Sequence, residues 1–122
     1  MKKAFLIILS LFMLIPVFAG QYEDALRSGE PVILYIYTKE CKYCKEFNPI
    51  FDALAQNYRK SYRFVKVDAY SPYGGLLIQD FRANYVPFVV LADARRQRLI
   101  SIQPDCLLKN ACVEEELKKF IK

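Results

Sequence analysis

The sequence predicts an α/β domain: a small mixed central sheet with helices on both faces. Two observations carry that class. Strand-like apolar runs alternate with stretches whose apolar residues recur at three- and four-residue spacing. The last two strand-like runs, by contrast, are joined by a connection too short to hold a helix. Strands separated by a helix need a crossover and pair in parallel, whereas a short connection makes an antiparallel pair. A single sheet holding both kinds of pair is mixed.

The elements follow in order. Gln21 to Ser28 predicts a short helix with Tyr22, Ala25 and Leu26 on one face, ended by Gly29. Pro31 launches the first strand, the unbroken apolar run Val32-Ile33-Leu34-Tyr35-Ile36-Tyr37, which reads as buried. A long helix is expected from about residue 41 to residue 59, because Phe47, Ile50, Phe51, Leu54 and Tyr58 repeat on one helical face. Tyr62 to Asp68 alternates and carries β-branched residues, a second strand. Ser71-Pro72-Tyr73-Gly74-Gly75 predicts a turn, with Tyr70 and Tyr73 as loop anchors, and Leu76 to Phe81 a short helical stretch. Val86 to Leu91 is a third strand with Pro87 near its start, where a missing N–H is tolerated. Ala92 to Gln97 forms a hairpin connection to Arg98–Ile102. Val113 to Ile121 closes the chain as a helix whose acidic start (Glu114, Glu115, Glu116) and basic end (Lys118, Lys119, Lys122) suit its dipole.

The first nineteen residues read as a signal peptide rather than as part of this domain. Lys2 and Lys3 form a basic start, Ala4 to Phe18 an apolar run, and Val17-Phe18-Ala19 a small-residue cleavage site. The run is short for a membrane span; a retained N-terminal anchor is the alternative. Cleavage after Ala19 leaves residues 20–122, enough for one core, and lowers the formal charge from +5 to +3. The expected location is therefore periplasmic or otherwise exported, with no stable membrane association after cleavage. The remaining basic residues are scattered, and the densest group, Arg95-Arg96-Gln97-Arg98, falls in a turn and reads as a solvated hairpin tip. Nucleic acid is not an expected partner.

The chemistry lies in the cysteines. Four of them form two close pairs, 41/44 and 106/112, and export makes disulfides possible. The chain has no histidine, which excludes Cys–His catalysis, His-ligated zinc and C-x-x-C-H haem attachment. Cys41-Lys42-Tyr43-Cys44 stands where the first strand gives way to the long helix. Both sulfurs thus fall at a helix N-terminus, three positions apart and on one side. Unsatisfied N–H groups and the helix dipole there favour an anion, and such placement lowers a thiol pKa from ~8.5 to roughly 3.5–7.5. Lys39, Lys42 and Lys45 assist while Glu40 opposes. Alternatives for this pair are a permanent disulfide or a soft-metal site recruiting Cys106 and Cys112; no metal or other cofactor is expected. Cys106 and Cys112 bracket five residues before the terminal helix and read as a structural disulfide pinning its start. A second redox pair relaying electrons to 41/44, or unpaired thiols, are the alternatives. Tyr43, between the first two cysteines, is expected to be exposed, either packing against substrate or simply filling the motif.

With these residues in hand, the chain resembles the thioredoxin-like superfamily from about Pro31 to Lys122. The resemblance rests on Cys41-Lys42-Tyr43-Cys44 after a buried strand, Lys66 within Phe64-Val65-Lys66-Val67-Asp68, and Val86-Pro87 opening the next strand. It implies a thioredoxin-like fold, Cys41 as attacking thiol, Cys44 as resolving thiol, and a cis Val86–Pro87 bond that faces them and offers backbone to an extended substrate. Two positions depart from the thioredoxin pattern. Tyr35 stands where thioredoxins carry a buried aspartate, and Glu40 where they carry tryptophan. Both imply a specialised relative.

The expected function is a thiol–disulfide oxidoreductase acting on protein cysteines, with a further redox protein as its partner. The resemblance slightly favours the reductase direction: oxidase-type relatives carry a helical insertion between the motif helix and the Val86-Pro87 strand, and this chain shows no obvious insertion there. The alternatives are a redox-inactive binding module for a protein or soft metal, and a disulfide-forming oxidase.

Overall fold

Burial along one strand determines the layers around it. In the computed structural model, which describes residues 20–122, strand β1 (Val32–Tyr37) is buried at its first five positions. A strand with no solvent face needs cover on both sides. Alternate residues supply it: Ile33 and Tyr35 pack on one side, Val32, Leu34 and Ile36 on the other.

The first side is covered by α2 (Lys42–Asn57) and α5 (Asn110–Phe120), through Phe47, Phe51 and Leu54 of the one and Val113, Leu117 and Phe120 of the other. The second side is covered by α1 (Gln21–Arg27), through Tyr22 and Ala25, and by α3 (Pro72–Phe81), through Leu77. Strands β2 (Arg63–Asp68), β3 (Phe88–Asp93) and β4 (Arg98–Ser101) complete a four-stranded sheet in the order β2-β1-β3-β4. The β1/β2 pair is parallel across α2, and the β1/β3 and β3/β4 pairs are antiparallel. The mixed sheet with helices on both faces is therefore the architecture observed.

Several boundaries differ from the sequence reading, each for a local reason. The expected turn at Ser71–Gly75 is the first turn of α3: Ser71 caps the helix by accepting the Gly74 N–H at 2.9 Å, and Pro72 occupies the first helical position. Gly74 is there because a Cβ would collide with the Asp68 carbonyl, not because the chain bends. Strand β3 begins at Phe88 rather than Val86, paired with Ile36. Pro87 has no N–H to offer a ladder. A four-residue helix, α4 (Pro104–Leu107), was not expected, and α5 begins three residues before Val113. The Arg95–Arg98 cluster is not merely solvated: Arg96 Nη1 donates to the Lys122 carbonyl at 3.2 Å and Arg98 Nη1 to that of Phe120 at 2.8 Å, fastening the hairpin to the C-terminus. Among the described residues no helix is long and apolar enough to cross a membrane.

Candidate active site

The geometry of the Cys41–Cys44 pair follows from where α2 starts. Cys41 is its N-cap, in extended conformation, and Cys44 is its third residue. The orphan N–H of that third residue is normally taken by a capping side-chain oxygen. Here a sulfur takes it: the Cys44 N–H donates to Cys41 Sγ at 3.0 Å. The two cysteines are joined as a disulfide with their Cα atoms 5.1 Å apart. Cys41 is half-buried at the surface, whereas Cys44 is fully buried behind it. Cys41 thus reaches the surface and Cys44 does not.

Opposite the sulfur stands the segment before β3. The Val86–Pro87 peptide is cis, and the Val86 carbonyl oxygen lies 3.7 Å from Cys41 Sγ. Tyr43, Val86 and Pro87 line one groove, of about 510 Å³, together with Tyr85, Pro104, Asp105 and Leu108. The structure thereby brings together all five residues expected at the site. Tyr43 is 57% exposed, as a residue at the helix tip should be.

Beneath the pair, Tyr35 occupies the place where the resemblance leads one to look for a carboxylate. Its hydroxyl is 2.8 Å from Asn48 Oδ1 and 3.2 Å from the Cys44 carbonyl oxygen. Burial pushes its pKa well above that of a free tyrosine, with Tyr37 and Asp52 adding to the shift. It therefore stays neutral through physiological pH and acts as a donor, not as a base. The Lys66 ammonium lies 4.7 Å from the Tyr37 ring centroid and 5.7 Å from that of Tyr35, positive charge resting on two aromatic faces. Lys39, Glu40, Lys42 and Lys45 are all exposed, so salt screens their influence on the sulfur.

Cys106 and Cys112 form a second disulfide, Cα atoms 5.4 Å apart, linking α4 to the first turn of α5. Among the described residues no three His, Cys, Asp or Glu side chains gather as a metal site would require. The residues that sequence reasoning missed are Asn48, Tyr85, Pro104, Asp105 and Leu108. Asn48 was within reach, four positions after Cys44 and hence on the same helix face. The rest depend on how loops fold over the sheet.

Comparison with known proteins places this geometry. A family model described as Thioredoxin matches residues 14–102. The J-Trx1 fragment of ERdj5 superposes with a TM-score of 0.70 at 15% identity, covering 83% of this chain and 46% of that one. The chain thus spans less than half the length of that fragment. Mitochondrial thioredoxin 3 of Saccharomyces cerevisiae, in its oxidised form, gives 0.66 at 21% identity over 81% and 87% of the two chains. A thioredoxin from Thermus thermophilus gives 0.63 at 18% over 79% and 77%. At such identities these likenesses speak for the fold alone. No curated protein sequence matches the chain at a significant level. The family match covers most of the sequence, and on that ground the chain belongs to the thioredoxin family, with Cys41 and Cys44 as its redox-active Cys-x-x-Cys pair.

Proposed function

We propose that this protein is an exported thiol–disulfide oxidoreductase that reduces disulfides in other proteins, Cys41 attacking and Cys44 resolving. One observation carries the assignment of roles: Cys41, part-exposed, accepts a backbone N–H on its sulfur at a helix N-terminus, while Cys44 is buried behind it. A charge-assisted bond of that kind favours thiolate over thiol.

In the reduced protein the Cys41 thiolate attacks one sulfur of a substrate disulfide. A Cys41–substrate disulfide forms, and the other substrate sulfur leaves as a thiolate and takes up a proton. Cys44 then loses its proton and attacks Cys41 Sγ. The second substrate thiolate departs, and two electrons have passed from the cysteine pair to the substrate. The extended substrate segment lies along Val86 and Pro87, with Tyr43 against it. A partner protein with a dithiol of lower potential returns the chain to its reduced form.

The reductase direction is supported by the compact stretch between α2 and β3, which holds only β2 and the ten residues of α3. Export is supported by the basic and apolar character of residues 1–19; the secreted protein should then begin at Gly20, read directly by mass spectrometry.

The deciding experiment is the reduction potential of the 41/44 couple, together with alkylation of Cys41 across pH. A reductase requires a potential well below the oxidase range, near the ~−270 mV of thioredoxin rather than the ~−120 mV of a strong oxidant. One thiol should titrate well below ~8.5. Cys41→Ser should abolish exchange, and Cys44→Ser should trap a mixed disulfide with substrate. Full reduction of a protein disulfide by the Cys41→Ser variant would refute this division of roles.

A further inference from the structure

We propose that α4, clamped by the Cys106–Cys112 disulfide, is the specificity wall of this site and selects target cysteines flanked by a bulky apolar side chain. The inference rests on the oxidoreductase reading above and adds to it a substrate class.

The groove beside Cys41 has three walls. Tyr43 comes from α2, Tyr85, Val86 and Pro87 from the segment before β3, and Pro104, Asp105 and Leu108 from α4 and the residue that caps it. Its volume, about 510 Å³, has room for a large side chain. Six large apolar side chains stand exposed among the described residues, and three of them, Tyr43, Tyr85 and Leu108, border this one groove. Exposed apolar groups gathered in this way mark a contact surface.

The occupant follows from continuity with the reacting sulfur. Val86, whose carbonyl lies 3.7 Å from Cys41 Sγ, is itself part of the groove wall. Whatever fills the groove while Cys41 is bonded to a substrate must therefore be a near neighbour of the substrate cysteine. The lining is apolar but for Asp105, so a leucine- or phenylalanine-like side chain fits and an acidic one does not.

The α4 wall has little stability of its own. A single turn of four residues does not persist in water. It is held by the buried Leu107 and by the bond from buried Cys106 to Cys112 on α5, which leave Pro104, Asp105 and Leu108 facing the groove. The second disulfide thus acts on the shape of the site rather than on its electrons.

The test uses protein in which only the 41/44 pair is reduced, and two peptides, Gly-Phe-Cys-Gly and Gly-Gly-Cys-Gly, each as its mixed disulfide with glutathione. Each turnover converts the cysteine pair to its disulfide and releases one peptide thiol and one glutathione. In single turnovers with the reduced protein in excess, the second-order rate constant for attack on the phenylalanine peptide should be about tenfold larger, the discrimination a hydrophobic subsite can provide. Leu108→Asp, and independently the Cys106→Ser/Cys112→Ser double variant, should bring that ratio close to one. Equal rates on the two peptides in the parent protein, or a ratio unchanged in Leu108→Asp, would overturn the specificity wall while leaving the oxidoreductase intact. Attack on neither peptide faster than by a free thiol would overturn both.

Discussion

Tyr35 shows how one side chain can be central to a reaction site without reacting. Fully buried under the cysteine pair, it holds Asn48 and the Cys44 carbonyl within hydrogen-bonding reach. Its raised pKa keeps the proton on the hydroxyl. Tyr35→Phe should therefore lower stability by about 1–2 kcal/mol, the cost of stranding buried acceptors. The pH profile of thiol exchange should keep its midpoint, because no base has been removed; a shifted midpoint would show that Tyr35 takes part in proton transfer. Gly74 makes a second case. Its amide caps α3 through Ser71 Oγ, and a methyl group there would run into the Asp68 carbonyl. Gly74→Ala should cost about 1–3 kcal/mol, read as a fall in urea midpoint, although alanine is the better helix former. The two residues also mark the limits of reading a sequence. Cys41 and Cys44 were legible because their spacing and the helical pattern after them are local. Tyr35 stood out only through the resemblance, as the residue in an aspartate's place; its bond to Asn48 was not legible because that partner lies thirteen positions on, and Gly74 looked like a turn residue because its real reason is a carbonyl six residues back.

At the scale of elements, the chain is secured by pieces that do little when isolated. Helix α2 was legible almost to its ends because Phe47, Phe51 and Leu54 form one apolar stripe, and it continues through Pro49, whose ring faces solvent. Helix α4 had no such stripe: four residues cannot display a period, and only Pro104 at its first position marks its start. What holds it is the Cys106–Cys112 bond, which closes a small loop between the last strand and α5. In the chain-entropy view such a closure contributes about 2 kcal/mol. The Cys106→Ser/Cys112→Ser variant should lose roughly that much in denaturant unfolding, with the 41/44 pair still able to form its bond. No change in midpoint would mean that α4 packs as firmly without its clamp. The Tyr73 hydroxyl performs a similar task across the molecule: it accepts the Tyr22 N–H at 3.0 Å and donates to the Glu23 carboxylate, joining α1 to α3.

Across the whole molecule, strand composition foreshadowed position in the sheet. The unbroken apolar runs became the central strands β1 and β3, and the alternating, more polar ones the edges β2 and β4. The antiparallel pairing of β3 with β1 runs against the expectation that strands separated by a helix pair in parallel, because strand direction depends on where the chain re-enters the sheet after α3 rather than on any local pattern. The same packing that orders the sheet makes the protein sensitive to alkali. Burial raises the pKa of Tyr22, Tyr35 and Tyr62 above 10.0, and burial together with the Glu23 carboxylate pushes Tyr73 up to about 12. A tyrosine that titrates at a higher pH when folded holds its proton more tightly in the native state. Below the unfolded value near 10 both states are protonated and stability is at its full level. Above it the unfolded chain ionises first, so stability falls with rising pH until the folded groups titrate as well. The oxidised protein should therefore keep a nearly constant tyrosine contribution up to about pH 10 and lose stability steadily towards pH 12. Urea midpoints at intervals across that range test this, with Tyr73→Phe alongside. Removing the hydroxyl that donates to the Glu23 carboxylate should make the decline shallower than in the parent. If the two profiles run parallel, the coupling between α1 and α3 through Tyr73 does not contribute to the alkaline transition.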